Sequence, residues 1–570
     1  MYTYHVCAPT TDAEHWHNID WAKCHARVRS FQARIVKATR NNRWNKIKIL
    51  QHLLTNSFAA KALAVKKVTE NKGAKTTGVD GERWNTPTEK AKAIAELEIK
   101  TYKPKPLKRV YILKSNGKKR PLGIPTLKDR AMQALFLMAL DPIAETQANQ
   151  NAYGFRKNRS AQDAAGQLCN VLAQKHSAQW ILDADIEGCF DNINHQWLLA
   201  NIPIKKNILR SWLKAGFMER KLLYPTEQGT PQGGIISPTL MNMTLTGLET
   251  VIKNKWGRRH HKNKVHAILY ADDFIITGAT KELLENEILP TVKQFLQQRG
   301  LRLSEEKTRI VHIEEGFDFL GWKIRKYEEN GNKKFLIKPS RKSVKQVLQK
   351  IKETLRKYRQ AKQWNVIQLL NPIIRGWANY HRHNCTSKTF SKIDNHIWEK
   401  LRSWVFRRHP KKSTTWIMKK YFHKKGNNQW TFSTAHEKTQ GNIKTRASLM
   451  RMSEVSIRRH TKVKSAANPY DPLWYDYFYD RQTKRIKTSI EVNKNIKRLW
   501  LEQRGLCPAC KLSINEETGW HVHHIQHRAN GGTHEHNNLV LMHPNCHRSM
   551  HATKRDFQKK PETSRHVMFR

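Results

Sequence analysis

The chain has 570 residues, with 104 Lys plus Arg against 47 Asp plus Glu and a formal net charge of +57. That length exceeds what one compact core organises, so three to five structural units are expected. A charge this large makes a compact fold repel itself unless polyanions are near, which points to a long nucleic acid as the natural partner, although an anionic membrane would also attract it.

The longest nearly apolar run, Ala131 to Leu140, is broken by Gln133 and is too short to span a bilayer, so no membrane partner is expected. The opening M-Y-T-Y-H-V-C-A-P-T lacks the charged-then-apolar order of a secretion signal, and an intracellular, cytoplasmic setting is expected. Eight cysteines are too few for a disulfide scaffold in a chain of this length. Cys7, Cys24, Cys169, Cys189 and Cys385 are scattered and read as reduced thiols, whereas Cys507, Cys510 and Cys546 fall together near the C-terminus.

In chain order, residues from about 15 to 70 read as basic helices, with Val28, Phe31, Ile35 and Ala38 at helical spacing. Three glycines between Lys72 and Gly81 predict a loop or turn. V-Y-I-L-K at 110–114 and R-P-L-G-I-P at 120–125 predict a hairpin turning at Asn116-Gly117. Helical and strand patterns alternate from Asp129 to about Lys338, which suggests an α+β core. After Ser340 helices take over: Val344, Val347, Leu348, Ile351 and Leu355 form one stripe, and 364–380 and 390–406 follow. The stretch from 410 to 490 is basic, rich in Trp and Tyr, and without clear periodicity. No internal repeat or low-complexity tract is evident.

Tyr270-Ala271-Asp272-Asp273 lies between the apolar H-A-I-L and F-I-I-T, a pattern for a hairpin with two acids at its turn. Adjacent carboxylates disfavour each other's ionisation, so such a pair calls for a cation. A second apolar strand, W-I-L-D-A-D-I, carries Asp185; side by side, the two strands bring Asp185, Asp272 and Asp273 together. Hard carboxylate oxygens suit Mg²⁺, and a site with two ions activates a 3′-hydroxyl and stabilises departing pyrophosphate.

The ordered blocks R-P-L-G-I-P-T (120–126), Y-G-F-R (153–156), D-I-E-G-C-F-D-N-I (185–193), T-P-Q-G-G-I-I-S-P (230–238), Y-A-D-D (270–273), L-S-E-E-K-T (303–308) and F-L-G-W (319–322) resemble the reverse transcriptases of group II introns. The resemblance runs from about Trp16 to His551. It implies that Asp185, Asp272 and Asp273 form the metal triad, with Asp183 and Asp191 structural. Phe190 is implied to press on the sugar and favour deoxynucleotides, the alternative being core packing. Lys114 and Arg120 are implied to grip the dNTP triphosphate, or else to be solvated surface cations. Gln232 and Gly233 would line the template and nucleotide pocket, glycine permitting close backbone approach.

The basic helices after Ser340 resemble the family's thumb, or maturase, part, best in R-G-W-A-N-Y-H at 375–381. Arg375 and Tyr380 are the expected RNA contacts, by phosphate pairing and ring stacking. The resemblance implies binding of the parent intron RNA and support of its splicing; a generic thumb holding primer and template is the alternative.

Cys507-Pro508-Ala509-Cys510 and His543-Pro544-Asn545-Cys546 are two pairs with two-residue spacing, a donor set suited to structural Zn²⁺. Relatives often carry cysteine where His543 stands. V-H-H-I at 522–525, N-N-L at 537–539 and C-H at 546–547 resemble an HNH nuclease. That resemblance makes His524 the general base, Asn538 its orienting partner, and His523, His547 and His551 the holders of one catalytic divalent ion. His521, His527, His534 and His536 crowd the same stretch.

The expected architecture is therefore multidomain α+β: a right-hand polymerase with fingers and palm, a helical thumb/maturase bundle, and a small C-terminal zinc-containing ββα HNH domain. Its expected parts are a basic helical extension (1–90), fingers and palm (91–338), thumb or maturase (339–425), a DNA-binding region (426–492) and the nuclease (493–570). The expected partners are intron RNA, target DNA and dNTPs. Two other readings are a maturase that only binds RNA and a domesticated host reverse transcriptase.

Overall fold

A computed structural model describes residues 12–113, 117, 119–220, 222–257, 262–426, 428–437, 444–488, 494–515, 518–527 and 530–553. Four helices open the chain: Asp12–Asn18, Trp21–Arg40, Trp44–Asn56 and Phe58–Glu70. The second starts where the Asp20 carboxylate accepts from Lys23 N, and the fourth where Ser57 Oγ accepts from Ala60 N. Val28, Ile35 and Ala38 are buried as their spacing requires, with Phe31 half-buried against them. The fourth helix buries Ala60, Ala62 and Ala64, small residues that let it lie close against helix Leu127–Gln147. The nearly apolar run at 131–140 falls inside that helix, which is a core element; among the described residues no helix is long and apolar enough to cross a membrane. The expected loop at 72–81 contains a short 3₁₀ turn, Lys72–Lys75.

Strands β1 (Leu107–Leu113) and β2 (Lys119–Ile124) form the expected antiparallel hairpin, with Leu113 opposite Lys119. Lys114 lies outside the described residues. The next strand, β3 (Trp180–Asp185), belongs to the palm. Strands β4 (Phe217–Glu219) and β5 (Leu222–Tyr224) return to the hairpin, β4 pairing parallel to β1, to give the order β2-β1-β4-β5.

The palm sheet adds β6 (Ala267–Tyr270), β7 (Asp273–Gly278) and β8 (Arg309–His312) in the order β6-β7-β3-β8, every pairing antiparallel. Its central strands bury Ile181, Leu182, Phe274, Ile275 and Ile276. A three-stranded sheet follows, from β9 (Phe317–Phe319), β10 (Trp322–Glu329) and β11 (Asn332–Pro339).

The thumb is three helices, Arg341–Lys357, Gln363–His381 and Ser387–Arg408. Val347, Ile351 and Leu355 are buried on the first, with Val344 and Leu348 packed at the edge of the same cluster. In the region without periodicity the chain forms helix Thr414–Tyr421 and a sheet of β12 (Phe422–Lys425), β13 (Asn428–Glu437) and β14 (Lys444–Ser448), then later a helix at Tyr475–Thr488. Alternation fails there because Thr431, Phe432 and Ser433 are all buried in succession.

The segment at 458–474 straps the palm. The Asp163 carboxylate takes bonds from His460, Val463 N and Arg481; Arg159 donates to Ala467 O; and Tyr470 OH bonds Asp141. The C-terminal unit contains helix Lys494–Glu502, the antiparallel pair β15 (His521–His524) and β16 (Leu539–Met542), and helix Pro544–Thr553, the expected ββα order. It shares an apolar core with the N-terminal helices, and Ser549 Oγ lies 3.2 Å from His17 Nδ1.

Candidate active sites

The palm hairpin and β3 set Asp273 directly opposite Asp185 in register, with Asp272 in the turn between β6 and β7. The turn is held open by Ala271 at φ +57, a backbone conformation that a β-carbon disfavours and that surrounding contacts must enforce. Those contacts come from Y-G-F-R. Tyr153 N donates to Leu269 O at 3.0 Å and Asn242 Nδ2 to Gly154 O at 2.9 Å, which presses Gly154 onto the turn. A β-carbon on Gly154 would stand 2.3 Å from Ala271 N, so glycine is a steric requirement of the aspartate hairpin.

Burial and a hydrogen bond that its protonated form donates to Asp185 push the Asp273 carboxyl up to about 8, and burial also raises Asp272. Carboxylates crowded this closely fit a cation shared among them. Two positive side chains already face the group. Lys307 Nζ lies 2.6 Å from Asp185 Oδ2, and the charge of Arg120 acts on Asp272. Lys307 lies in L-S-E-E-K-T, a block matched in sequence without a role for the lysine. Its loop is drawn in by Ser304 N, which donates to Asp185 O at 2.8 Å. Asp183 is paired with Arg309 at 3.0 Å, and Asp191 is exposed on the short helix Cys189–Asn192.

Phe190 is half-buried on that short helix, and its carbonyl accepts from Thr230 N at 2.6 Å, tying D-I-E-G-C-F to T-P-Q-G. The ring of Phe155 meets it edge-on with centroids 6.3 Å apart. Phe155 is 58 % exposed at φ +55, a placement that no sequence pattern announces. Gln232 O accepts from Gly123 N at 2.8 Å, and Gly233 adopts φ +126. A β-carbon there would lie 2.6 Å from Gly123 O, so the backbone that comes close to Gly233 is fingers strand β2.

In the thumb, Arg375 is half-exposed on helix Gln363–His381. Tyr380 was expected to offer its ring to RNA. Instead it stacks on Trp322 at 4.8 Å and 7°, and its hydroxyl donates to Leu320 O at 2.9 Å. Tyr380 and F-L-G-W therefore form the joint between thumb and palm, because an aromatic pair buries more area than either ring alone.

In the C-terminal unit, the ligand atoms of Cys507, Cys510, His543 and Cys546 all lie within 4.8 Å of one another, and all four residues are buried. Cys510 Sγ is 3.2 Å from His543 Nδ1, while His543 Nε2 lies 3.2 Å from Ser513 O, which fixes the ring. Burial opposes charge on His543, yet the Cys507 and Cys510 sulfurs push it up to about 10. Buried thiols around one imidazole fit a tetrahedral soft-metal centre.

A second cluster, His523, His547 and His551, also falls within 4.8 Å. Burial and the neighbouring His547 and His551 rings lower His523 to about 4, which keeps it in the neutral form that ligates metal. The first member lies on β15 and the other two on helix Pro544–Thr553, four residues apart on one face. His527 lies beside them, its ring 5.1 Å from that of His551. Asn538 was expected to orient His524. Its Oδ1 accepts from Gln526 N at 2.7 Å and its Nδ2 donates to Gln526 O and Thr533 O, so it braces the loop behind the imidazole. The group against His524 Nε2 is His534 Nδ1, at 3.0 Å.

A palm with two carboxylates on adjoining strands and a third in the turn beside them, joined to a ββα histidine cluster, defines a nucleic-acid polymerase carrying a nuclease. Residues 112–324 match the family "Reverse transcriptase (RNA-dependent DNA polymerase)" and 16–97 the "N-terminal domain of reverse transcriptase". Residues 344–422 match "Group II intron, maturase-specific domain" and 507–553 match "HNH endonuclease". The chain belongs to the group II intron-encoded reverse transcriptases with maturase and HNH endonuclease domains. It is 33 % identical over 318 residues to Protein YkfC of Escherichia coli, covering 47 % of this chain and 81 % of that one. With the group II intron-encoded protein LtrA of Lactococcus lactis it shares 32 % over 328 residues, 46 % of this chain and 54 % of LtrA, so it spans about half that relative's length. A telomerase structure from Candida albicans, in complex with a telomeric RNA fragment, is similar over 55 % of this chain and 64 % of that one, with 11 % identity and a TM-score of 0.32. Both enzyme families use divalent metals, and the maturase domain marks RNA binding.

Proposed function

We propose that the chain copies its intron RNA into DNA at Asp185, Asp272 and Asp273, holds that RNA as a splicing maturase, and nicks target DNA with its HNH unit to supply the primer. The observation that carries this reading is the register of Asp185 against Asp273 with Asp272 in the adjoining turn. The three carboxylates would hold two Mg²⁺ ions, which stabilise the attacking 3′-oxygen and the departing pyrophosphate. Arg120 grips the triphosphate of the incoming dNTP, together with Lys114. Phe190 closes the sugar pocket against a 2′-hydroxyl, and Gln232 and Gly233 set the pocket's fingers-side wall.

In the nuclease, His523, His547 and His551 would hold one divalent ion, which stabilises charge on the scissile phosphate. His524 takes the proton from the attacking water, and Asn538 keeps the loop behind it in place. Zn²⁺ would be held by Cys507, Cys510, His543 and Cys546 and fixes the fold of this unit. The work divides along the chain into the basic extension (1–90), fingers and palm (91–338), thumb or maturase with Arg375 on RNA phosphates (339–425), a DNA-binding region (426–492) and the nuclease (493–570). Primer extension by the purified protein on an RNA template, with and without Mg²⁺, tests the reading. Asp272→Ala abolishes extension and leaves RNA binding intact; extension that survives this change refutes the assignment.

A further inference from the structure

The fingers sheet has two faces, and one of them looks at the palm. Side chains alternate along a strand. Arg120 is near enough for its charge to act on Asp272, and alternation along β2 puts its neighbour Lys119 on the opposite face. The register of β1 on β2 and of β1 on β4 places Arg109, Tyr111, Phe217 and Glu219 on that outer face with Lys119. A cavity of about 470 Å³ opens there, lined by Arg109, Tyr111, Lys119, Glu219 and Arg220.

Three features set this surface apart from a merely solvated one. The Arg109 guanidinium lies 3.7 Å from the centroid of Phe217, whose ring stacks on the exposed Tyr224 at 5.2 Å and 14°. Tyr111 OH donates to both oxygens of Glu219 at 3.0 Å, which fixes an acid among cations. Arg220, directly after β4, adopts φ +49, where Asn or Gly would be at ease. A long cation kept in a strained conformation beside a cavity is a mark of function, since solubility alone needs no strain.

We propose that this outer face binds an unpaired nucleotide of an RNA strand, on the side of the fingers turned away from the polymerase carboxylates. Arg109, Lys119 and Arg220 meet the phosphates on either side of it. The Phe217–Tyr224 stack offers a ring to the base. Glu219 repels a bare anion but accepts from a ribose hydroxyl, so the site takes a nucleotide and prefers RNA to DNA. The inference rests on the reading of the chain as an enzyme that handles RNA.

The test uses the full chain, a short thiouridine-labelled single-stranded RNA and DNA of the same sequence as competitor. Light-induced cross-links map to the peptide containing Phe217 and Tyr224, and the DNA competes less well than unlabelled RNA. The double charge reversal K119E/R220E changes two exposed side chains, so its melting temperature stays that of the parent. It loses those cross-links and lowers the slope of log affinity against log salt by about one to two. Cross-links that avoid this peptide, or a variant with unchanged cross-links and slope, overturn the site, and equal competition by DNA overturns the ribose preference. If the parent protein makes no DNA on RNA, the underlying reading falls; if it does and K119E/R220E behaves like it in these assays, only the outer site falls.

Discussion

Lys307 and Asp185 meet at 2.6 Å between Nζ and Oδ2, which puts an ammonium inside the group of carboxylates that the polymerase fold gathers. The hydrogen bond to Asp185 raises the lysine's pKa, so it stays charged and competes with any metal for the same oxygen. An exposed pair of this kind is worth roughly 0.5–1 kcal/mol, so Lys307→Ala should lower the half-saturating Mg²⁺ concentration by about threefold. Titrating primer extension with Mg²⁺ measures it. An unchanged or higher requirement would show that the lysine does not compete.

The raised Asp273 carboxyl gives a pH dependence of definite sign. Its ordinary value is near 3.8 and its folded value about 8, so folding disfavours the ionised form. The metal-free protein therefore loses stability as pH rises through that interval, and a divalent cation, which favours the ionised form, offsets the loss. The rise in melting temperature on adding Mg²⁺ should be larger at pH 8.5 than at pH 6, and Asp273→Asn should abolish the difference. An equal rise at both pH values would contradict the assignment.

Gly154→Ala should separate copying from binding. The new methyl group would stand 2.3 Å from Ala271 N and displace the Asp272 turn. A shift of reacting groups near 1 Å costs roughly a hundredfold in rate, so kcat of extension should fall by about that much with RNA affinity unchanged. Extension at the parental rate would mean that the turn yields without consequence.

Removal of the soft-metal centre should disable one activity and spare the other. Cys546→Ser, or treatment with a zinc chelator, is expected to melt the C-terminal unit and abolish DNA nicking while primer extension persists. Metal analysis of the parent should find one zinc per chain that the variant lacks.

Asn538 and His524 should differ in the nuclease. His524→Ala removes nicking altogether. Asn538→Asp keeps the Oδ1 acceptor but loses the donors to Gln526 O and Thr533 O, and such supporting changes typically cost about 10–100-fold. Nicking rates on a supercoiled target with metal content checked in parallel distinguish the two. A full parental rate in Asn538→Asp would remove the loop brace from the mechanism.

Much of this arrangement could be read from residues alone because short-range rules govern it. The 3.6-residue stripe at Val347, Ile351 and Leu355, the alternation around Asp272 and Asp273, and the two-residue spacing of Cys507 and Cys510 each encode their partners locally. What escaped depends on distant approach. The parallel pairing of three-residue β4 with β1 joins segments about a hundred positions apart and leaves no local period. Thr431 and Ser433 are buried beside Phe432 and hide a sheet behind polar letters. Lys307, Phe155 and His534 acquire their neighbours only when loops close. Tyr380 failed differently: its place on the helix was right, but Trp322 had already claimed its ring.

The contact between His17 and Ser549 brings the first described helix against the last. In chain order the seat for the C-terminal unit therefore precedes its occupant by more than five hundred residues. A chain interrupted before that occupant leaves the N-terminal helices without the neighbour that shares their apolar core.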